Sequence, residues 1–274
     1  MKFTSVAVPL LFSGAALAVP LSEENLARRE ANRQARSPRH GQHSHKNLRV
    51  DSVQTEDGNF TAESYSSNWA GAVLIGSGYT SVSGTFVVPS VSVPSGGDSS
   101  KQYCAAAWVG IDGDTCGSAI LQTGVNICIQ NGAITNTAWY EWFPAAQEYW
   151  DSGISINTGD TVTAVVTADS TSGGSATVTN ESNGQSVSYT FTGQSATLCE
   201  TNAEWIMEDL SAGGGLVPFA NFGSSFAITG ASATSNGASV DTTGATIMDI
   251  SQNNAVLTST TASGSTVDIS YIGS

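Results

Sequence analysis

From about residue 60 onward the chain is built of short apolar runs of period two, broken by Gly, Asn and Ser, and no window holds an amphipathic stripe of period 3.6 for three turns. Such a chain cannot pack helix on helix. It must bury one face of each strand against another sheet. Thr161-Val-Thr-Ala-Val-Val-Thr and Ser186-Val-Ser-Tyr-Thr-Phe-Thr each put apolar side chains on one face and hydroxyls on the other. Strands are predicted at Trp69–Ile75, Ser81–Val88, Ala105–Ile111, Ala119–Ile127, Thr135–Trp142, Thr161–Ala168, Ser175–Thr179, Ser186–Phe191, Ala203–Asp209, Ser225–Thr229, Thr246–Ile250 and Thr266–Ile272. Asn183-Gly184 between two of these runs predicts a tight hairpin. About a dozen strands, no alternation with helices and no internal repeat imply an all-β antiparallel two-sheet sandwich of the jelly-roll or concanavalin-like kind.

Charge divides the 274 residues unevenly. Eight of the nine bases and all three histidines (His40, His43, His45) precede residue 50, with only three of the 23 acids. The first 49 residues therefore carry +5, and the remainder, with one base (Lys101) and twenty acids, carries −19. A net charge of −14 excludes a nucleic-acid partner, which needs a basic face. The acidic part has no histidine, so it cannot hold a Ser-His-Asp triad, a Cys-His pair or a His-ligated zinc. Only carboxylates, amides, hydroxyls, cysteines and aromatics remain to do chemistry, and no cofactor or metal is expected.

Residues 1–18 (MKFTSVAVPLLFSGAALA) place Lys2 before an apolar run and end in Ala16-Leu17-Ala18, the pattern of a secretory signal peptide. No later run is long enough to span a membrane, so a secreted, extracellular product without a membrane partner is expected. Residues 19–58 are basic and aromatic-free. Such a stretch cannot order by itself, and its charge suits a propeptide that docks on the acidic domain as an electrostatic inhibitor and is released by acid. The expected organisation is a signal peptide at 1–18, a propeptide at 19–58 and a catalytic domain at 59–274, a monomer made as a zymogen. The exposed-looking stretch 89–102 is a candidate processing loop. Cys104, Cys116, Cys128 and Cys199 are even in number, and two disulfides in one of three pairings are expected. Asn59 and Asn180 head glycosylation sequons.

Carboxylates and amides sit among tryptophans in a few segments: Ser67-Asn68-Trp69, Trp108-Val-Gly-Ile-Asp112-Gly-Asp114, Leu121-Gln122-Thr123-Gly124, Trp139-Tyr-Glu141-Trp142 and Glu204-Trp205-Ile206-Met207-Glu208-Asp209. On a strand, Glu204, Ile206 and Glu208 share one face and Trp205 and Met207 the other. A carboxyl buried among indole rings is raised in pKa by desolvation, which suits proton transfer. Taken singly, each of these residues reads more readily as sheet or core packing than as chemistry. Two other templates fail: Asp112-Gly-Asp114 continues into Cys116 at the third ligand position and Thr123 at the twelfth, where a calcium loop needs an oxygen ligand and a bidentate Glu, and Asp151-Ser-Gly has no second copy in register.

Taken together and in order, SNWAGAVL, YCAAAWVGIDGDTC, AILQTG, AWYEW, TNAEWIMED and VPFANF resemble the fungal glutamic peptidases, or eqolisins. The resemblance implies a β-sandwich that cleaves proteins and peptides at acid pH with a Gln/Glu dyad, insensitive to pepstatin. By the matching blocks the dyad falls on Gln122 and Glu208, with Glu204 as the second choice for the catalytic Glu, and the cleft is lined by Trp69, Trp108, Asp112 and Glu141. It also implies that Cys116 pairs with Cys199, which leaves Cys104 for Cys128. A member of the family carries an Asp two residues before the AWYEW tryptophan, where this chain has Thr137. The competing readings are a secreted β-sandwich glycoside hydrolase using paired Glu141 and Glu208, and a lectin-like carbohydrate-binding protein. Gln122 separates them, because only the peptidase needs it.

Overall fold

The computed structural model describes residues 42–50 and 63–273. The signal peptide, most of the basic stretch, its expected end near residue 58 and the Asn59 sequon lie outside the described residues. Among the described residues there is no helix, and two large sheets face one another.

The first sheet has ten strands. Its centre runs Thr246–Gln252, Trp69–Ile75, Asn202–Glu208, Tyr103–Ile111, Ile120–Gln130 and Ala133–Phe143, each antiparallel to the next. Beyond Thr246–Gln252 come Glu63–Ser66, in parallel, and then Arg49–Val50 from the basic stretch. The second sheet runs Gln185–Phe191, Gly173–Asn180, Thr161–Ser170, Tyr79–Val87, Phe226–Ser235, Thr266–Tyr271 and Thr258–Ser263. A small third sheet pairs Gln42–His43 with Ser211–Ala212.

The two sheets differ in what covers them. Thr161–Ser170 alternates half-buried and buried as far as Ala168, with Val162, Ala164 and Val166 in the core and its threonines outward. Strand Tyr103–Ile111 is buried at every position. Its odd-numbered residues (Ala105, Ala107, Val109) enter the core between the sheets, and its even-numbered ones (Cys104, Ala106, Trp108) join a second apolar cluster on the far face. A strand buried on both faces loses the polar alternation that marks a one-sided sheet. That second cluster is the floor of the site.

Observed strands extend most of the expected ones by one to three residues. Glu63–Ser66 and Thr258–Ser263 were not expected; they are dominated by Ser, Thr and a Glu, and are held as edge or next-to-edge strands by pairing rather than by apolar burial. The Asn183-Gly184 turn is wider than the sequence predicts. Asn180 pairs with Gln185, so residues 181–184 form a four-residue loop in which Gly184 takes φ 74°.

Candidate active site

The floor is organised by register. On Asn202–Glu208, Ala203, Trp205 and Met207 enter the inter-sheet core, and Glu204, Ile206 and Glu208 face outward. Glu208 lies opposite Trp69 and Ala106, and Ala106 opposite Asn126. The next outward row is Ile206, Trp108, Gly124 and Trp139, and the one after it Glu204, Gly110, Gln122 and Glu141. Gln122 and Glu208 are thus two rows apart, with Trp108 between them. The Trp108 ring folds over Gly110, where a Cβ would stand 2.8 Å from Cζ3. Its indole Nε1 donates to Glu208 Oε2 at 2.9 Å. Trp69 packs edge-on against Trp108, with ring centroids 4.9 Å apart. At Gly124 a Cβ would fall 2.1 Å from the Ala107 carbonyl oxygen and 2.5 Å from Trp108 Cβ, so only glycine lets the two strands approach this closely there.

Gln122, Glu141 and Glu208 are all buried. Gln122 Nε2 donates to Glu141 Oε2 at 3.1 Å, and Gln122 Oε1 has no hydrogen-bond partner. Burial pushes Glu208 from the ordinary 4.5 to about 7, although the His45 N–H, the Ser44 hydroxyl, the Asn68 amide and the Trp108 indole all oppose the shift by donating to the carboxylate. Burial, and then the charge of Glu208, hold Glu141 well above the ordinary range, against the Ser44 N–H and the Gln122 amide. Dyad candidates and flanking carboxyl therefore form one cluster, Glu141 linking Gln122 to the field of Glu208.

Two other named residues lie elsewhere. Asp112 bonds to neither Gln122 nor Glu208. It has φ 69°, and its carboxylate accepts the backbone N–H groups of Cys199, Glu200, Thr201 and Asn202 and the Thr201 hydroxyl. It organises the 199–202 loop, to which the Cys116–Cys199 disulfide also ties it. Asp112, Cys116 and Cys199 lie close enough to suggest a metal, but the two sulfurs are bonded to each other. Glu204 is on the outward face as expected, yet it is fully buried, neither carboxyl oxygen has a hydrogen-bond partner, and it bonds to neither Gln122 nor Glu208. Cys104 and Cys128, directly opposite each other in register, form the second disulfide at a Cα–Cα distance of 4.1 Å.

Sequence reasoning missed the amides around Glu208. Asn68 Nδ2 donates to Glu208 Oε1 at 3.3 Å, and its own loop is pinned by Gln252 Nε2, which donates to Ser67 O and to Asp209 Oδ2 at 2.7 Å each. Asn126 Nδ2 donates to Gln147 Oε1 at 2.9 Å. Asn68 was in view in the SNW block, and Asn126 follows from the register of AILQTG; nothing in the sequence marks Gln147 or Gln252.

Part of the basic stretch also reaches the site. Residues 44–49 run through the site as an extended chain. The His45 N–H donates to Glu208 Oε1 at 2.9 Å, the Ser44 N–H to Glu141, and the Ser44 hydroxyl to Glu208 while accepting from Gln147 Nε2 at 3.2 Å. Asn68 brackets the backbone: its Nδ2 reaches the His45 and Lys46 carbonyls at 3.3 Å, and its Oδ1 accepts the Leu48 N–H at 3.0 Å. Asn47 N donates to Gly113 O at 3.0 Å, and Ser67 N to Leu48 O at 2.9 Å. Arg49 also forms an ion pair with Asp114. Residues 44–49 are thus held by backbone and amide hydrogen bonds together with this pair.

Residues 67–271 match the Peptidase A4 family. The chain is 49% identical over 287 aligned positions to aspergillopepsin-2 of Aspergillus niger, covering 99% of this chain and 100% of that one. It is 41% identical over 281 positions to scytalidopepsin B of Scytalidium lignicola, with 99% and 100% covered. A crystal structure of scytalido-glutamic peptidase with a peptide-based transition-state analogue superposes with a TM-score of 0.67 at 45% identity, covering 75% of this chain and 98% of that one.

Proposed function

We propose that this chain, which belongs to the Peptidase A4 family, hydrolyses peptide bonds with Glu208 as general base and Gln122 as oxyanion donor. Membership makes it a glutamic endopeptidase; the assignment of the dyad rests on one observation. A peptide N–H, that of His45, is held 2.9 Å from Glu208 Oε1 in a cleft whose other wall is the Gln122–Glu141 pair. That contact brings a peptide nitrogen within reach of the carboxyl that is to hand a proton to the leaving amine.

The reaction follows from those atoms. Glu208 takes a proton from water as the water oxygen bonds to the scissile carbonyl carbon. The carbonyl electron pair moves onto oxygen, where Gln122 Nε2–H donates to it. A fixed donor of this kind contributes about 3–4 kcal/mol to the transition state. When the C–N bond breaks, Glu208 returns the proton to the leaving amine. Glu141, held protonated by burial, fixes which end of the Gln122 amide faces the cleft.

Residues 42–50 make the same site self-inhibited. Ser44 puts its hydroxyl on Glu208, where the attacking water belongs, and its main chain on Glu141. The segment also covers Glu208, and its departure readmits water to the carboxyl while withdrawing the His45 and Ser44 donors, two changes that act on its pKa in opposite directions. The organisation this supports is a secreted zymogen with residues 1–18 as signal peptide, 19–58 as propeptide and 59–274 as catalytic domain.

Purified full chain incubated at about pH 3, below the ordinary carboxylate range, is expected to lose residues 42–50 and then to digest haemoglobin whether or not pepstatin is present. Intact mass reports the first event and peptide release the second. Digestion abolished by pepstatin, or release of reducing sugar without proteolysis, contradicts the proposal.

A further inference from the structure

We propose that the cleft carries an acidic subsite at Asp114 that selects an arginine five residues beyond the scissile bond on the leaving-group side, with Arg49 as its built-in occupant. The inference rests on the peptidase reading above and gives that site an extended specificity. With the His45 N–H on Glu208, His45 is the first residue on the leaving side, and Lys46, Asn47, Leu48 and Arg49 are the second to the fifth. The register is not free to slide, because the Asn47 N–H, the Leu48 N–H and the Leu48 carbonyl are each bonded to the catalytic domain. That spacing brings the Arg49 guanidinium onto Asp114 in a fork, Nε to Oδ1 at 2.9 Å and Nη2 to Oδ2 at 2.6 Å. A planar, two-bond contact suits arginine better than lysine.

Three features make this a subsite rather than an incidental surface pair. With Asn47 and Arg49 on it, the Asp114 side chain is fully covered, while Arg49 remains 45% exposed, so the bound segment desolvates the acid more than the cation. Asn47 Nδ2 also donates to Asp114 Oδ1 at 2.7 Å, so two residues of the bound chain converge on one carboxylate. The loop that carries Asp114 is held independently of the segment: Gly113 N donates to Cys116 O at 2.8 Å, Cys116 is disulfide-bonded to Cys199, and Asp112 grips the 199–202 backbone. Asp114 therefore stays in position when residues 42–50 leave. The edge at Ser66 to Asn68, which pairs with Leu48 and Arg49, is then open to a substrate added as a strand.

The test uses enzyme obtained by acid activation of the full chain and three peptides that differ only at the fifth residue beyond the scissile bond: Arg, Ala or Glu. At about pH 5, above the ordinary aspartate range, the Arg peptide is expected to exceed the Ala peptide in kcat/KM about tenfold, through KM, with the Glu peptide poorest. In Asp114→Asn the preference collapses to within about twofold. In the uncleaved full chain, amide hydrogen exchange at Leu48 and Arg49 should accelerate in Arg49→Ala and in Asp114→Asn, and no further in the double variant. Equal cleavage of the Arg and Ala peptides by the wild type, a preference that survives in Asp114→Asn, or additive exchange effects overturns the subsite. Failure to cleave any of the three peptides instead overturns the peptidase reading on which it rests.

Discussion

Gln122→Ala is expected to lower kcat on a peptide substrate by about 100- to 1000-fold, with KM changed little. Gln122 touches no part of the bound segment in the hydrogen bonds of the cleft; its single bond is Nε2 to Glu141 Oε2. Its contribution therefore belongs to the transition state, when the carbonyl oxygen becomes negative and needs a donor, and not to the binding of an extended chain, which Asn68, Ser67 and Gly113 supply. Removing it also leaves Glu141 without that donor, so Glu141→Gln is the control. Glu141→Gln keeps the shape and an amide beside Gln122, and should cost much less than Gln122→Ala. A glycosidase built on Glu141 and Glu208 predicts the reverse order. Steady-state kinetics on both variants, with melting temperatures to show that each is folded, separates the two.

Raising the pH from about 4.5 to about 7 is expected to destabilise the fold strongly, and Glu204→Gln to flatten that loss. Four buried carboxyls, Glu141, Glu204, Glu208 and Asp209, all have raised pKa values, chiefly because burial disfavours their charged forms. A carboxyl raised in the folded state stays protonated there while its unfolded counterpart ionises. Its stabilisation is complete below the unfolded value and is lost as pH rises through the window up to the folded one. For Glu208 that window runs from 4.5 to about 7, which corresponds to roughly 3 kcal/mol for this one group. Glu204 is the extreme case, since neither oxygen has a partner to offset burial and the charges of Asp112 and Asp114 raise it further. With only one base beyond residue 50, few cations are at hand to compensate. Calorimetry across this range should show a falling melting temperature for the full chain. The fall should be shallower in Glu204→Gln, which cannot ionise. A melting temperature that is flat or rises with pH contradicts the assignment of these groups as buried acids.

Period-two alternation was enough to read the sandwich because each inner strand needs one apolar face, and Thr161–Ser170 and Gly173–Asn180 wear that pattern openly. Facing could be read too: Glu204, Ile206 and Glu208 share the outward side as their spacing requires. What stayed hidden depends on distant partners. Asp112 looks like a cleft acid in Trp-Val-Gly-Ile-Asp, but four N–H groups from residues nearly ninety positions away claim it. The basic stretch lacks the apolar residues to order alone, and it is ordered at 42–50 because the cleft supplies the partners. Gln147 and Gln252 reach the site from loop and edge positions whose local sequence carries no pattern.

The central claim is that Glu208 moves the proton, and Glu208→Gln tests it most directly because it keeps the side chain's shape and removes only its basicity. The measurement is kcat/KM of acid-activated wild type and of Glu208→Gln freed from residues 1–58 by the wild-type enzyme, on one peptide substrate at one acid pH. A fall of at least about 1000-fold with an unchanged melting temperature is the predicted result. A folded Glu208→Gln enzyme that turns over within about tenfold of wild type contradicts the account, because loss of a general base cannot be so mild.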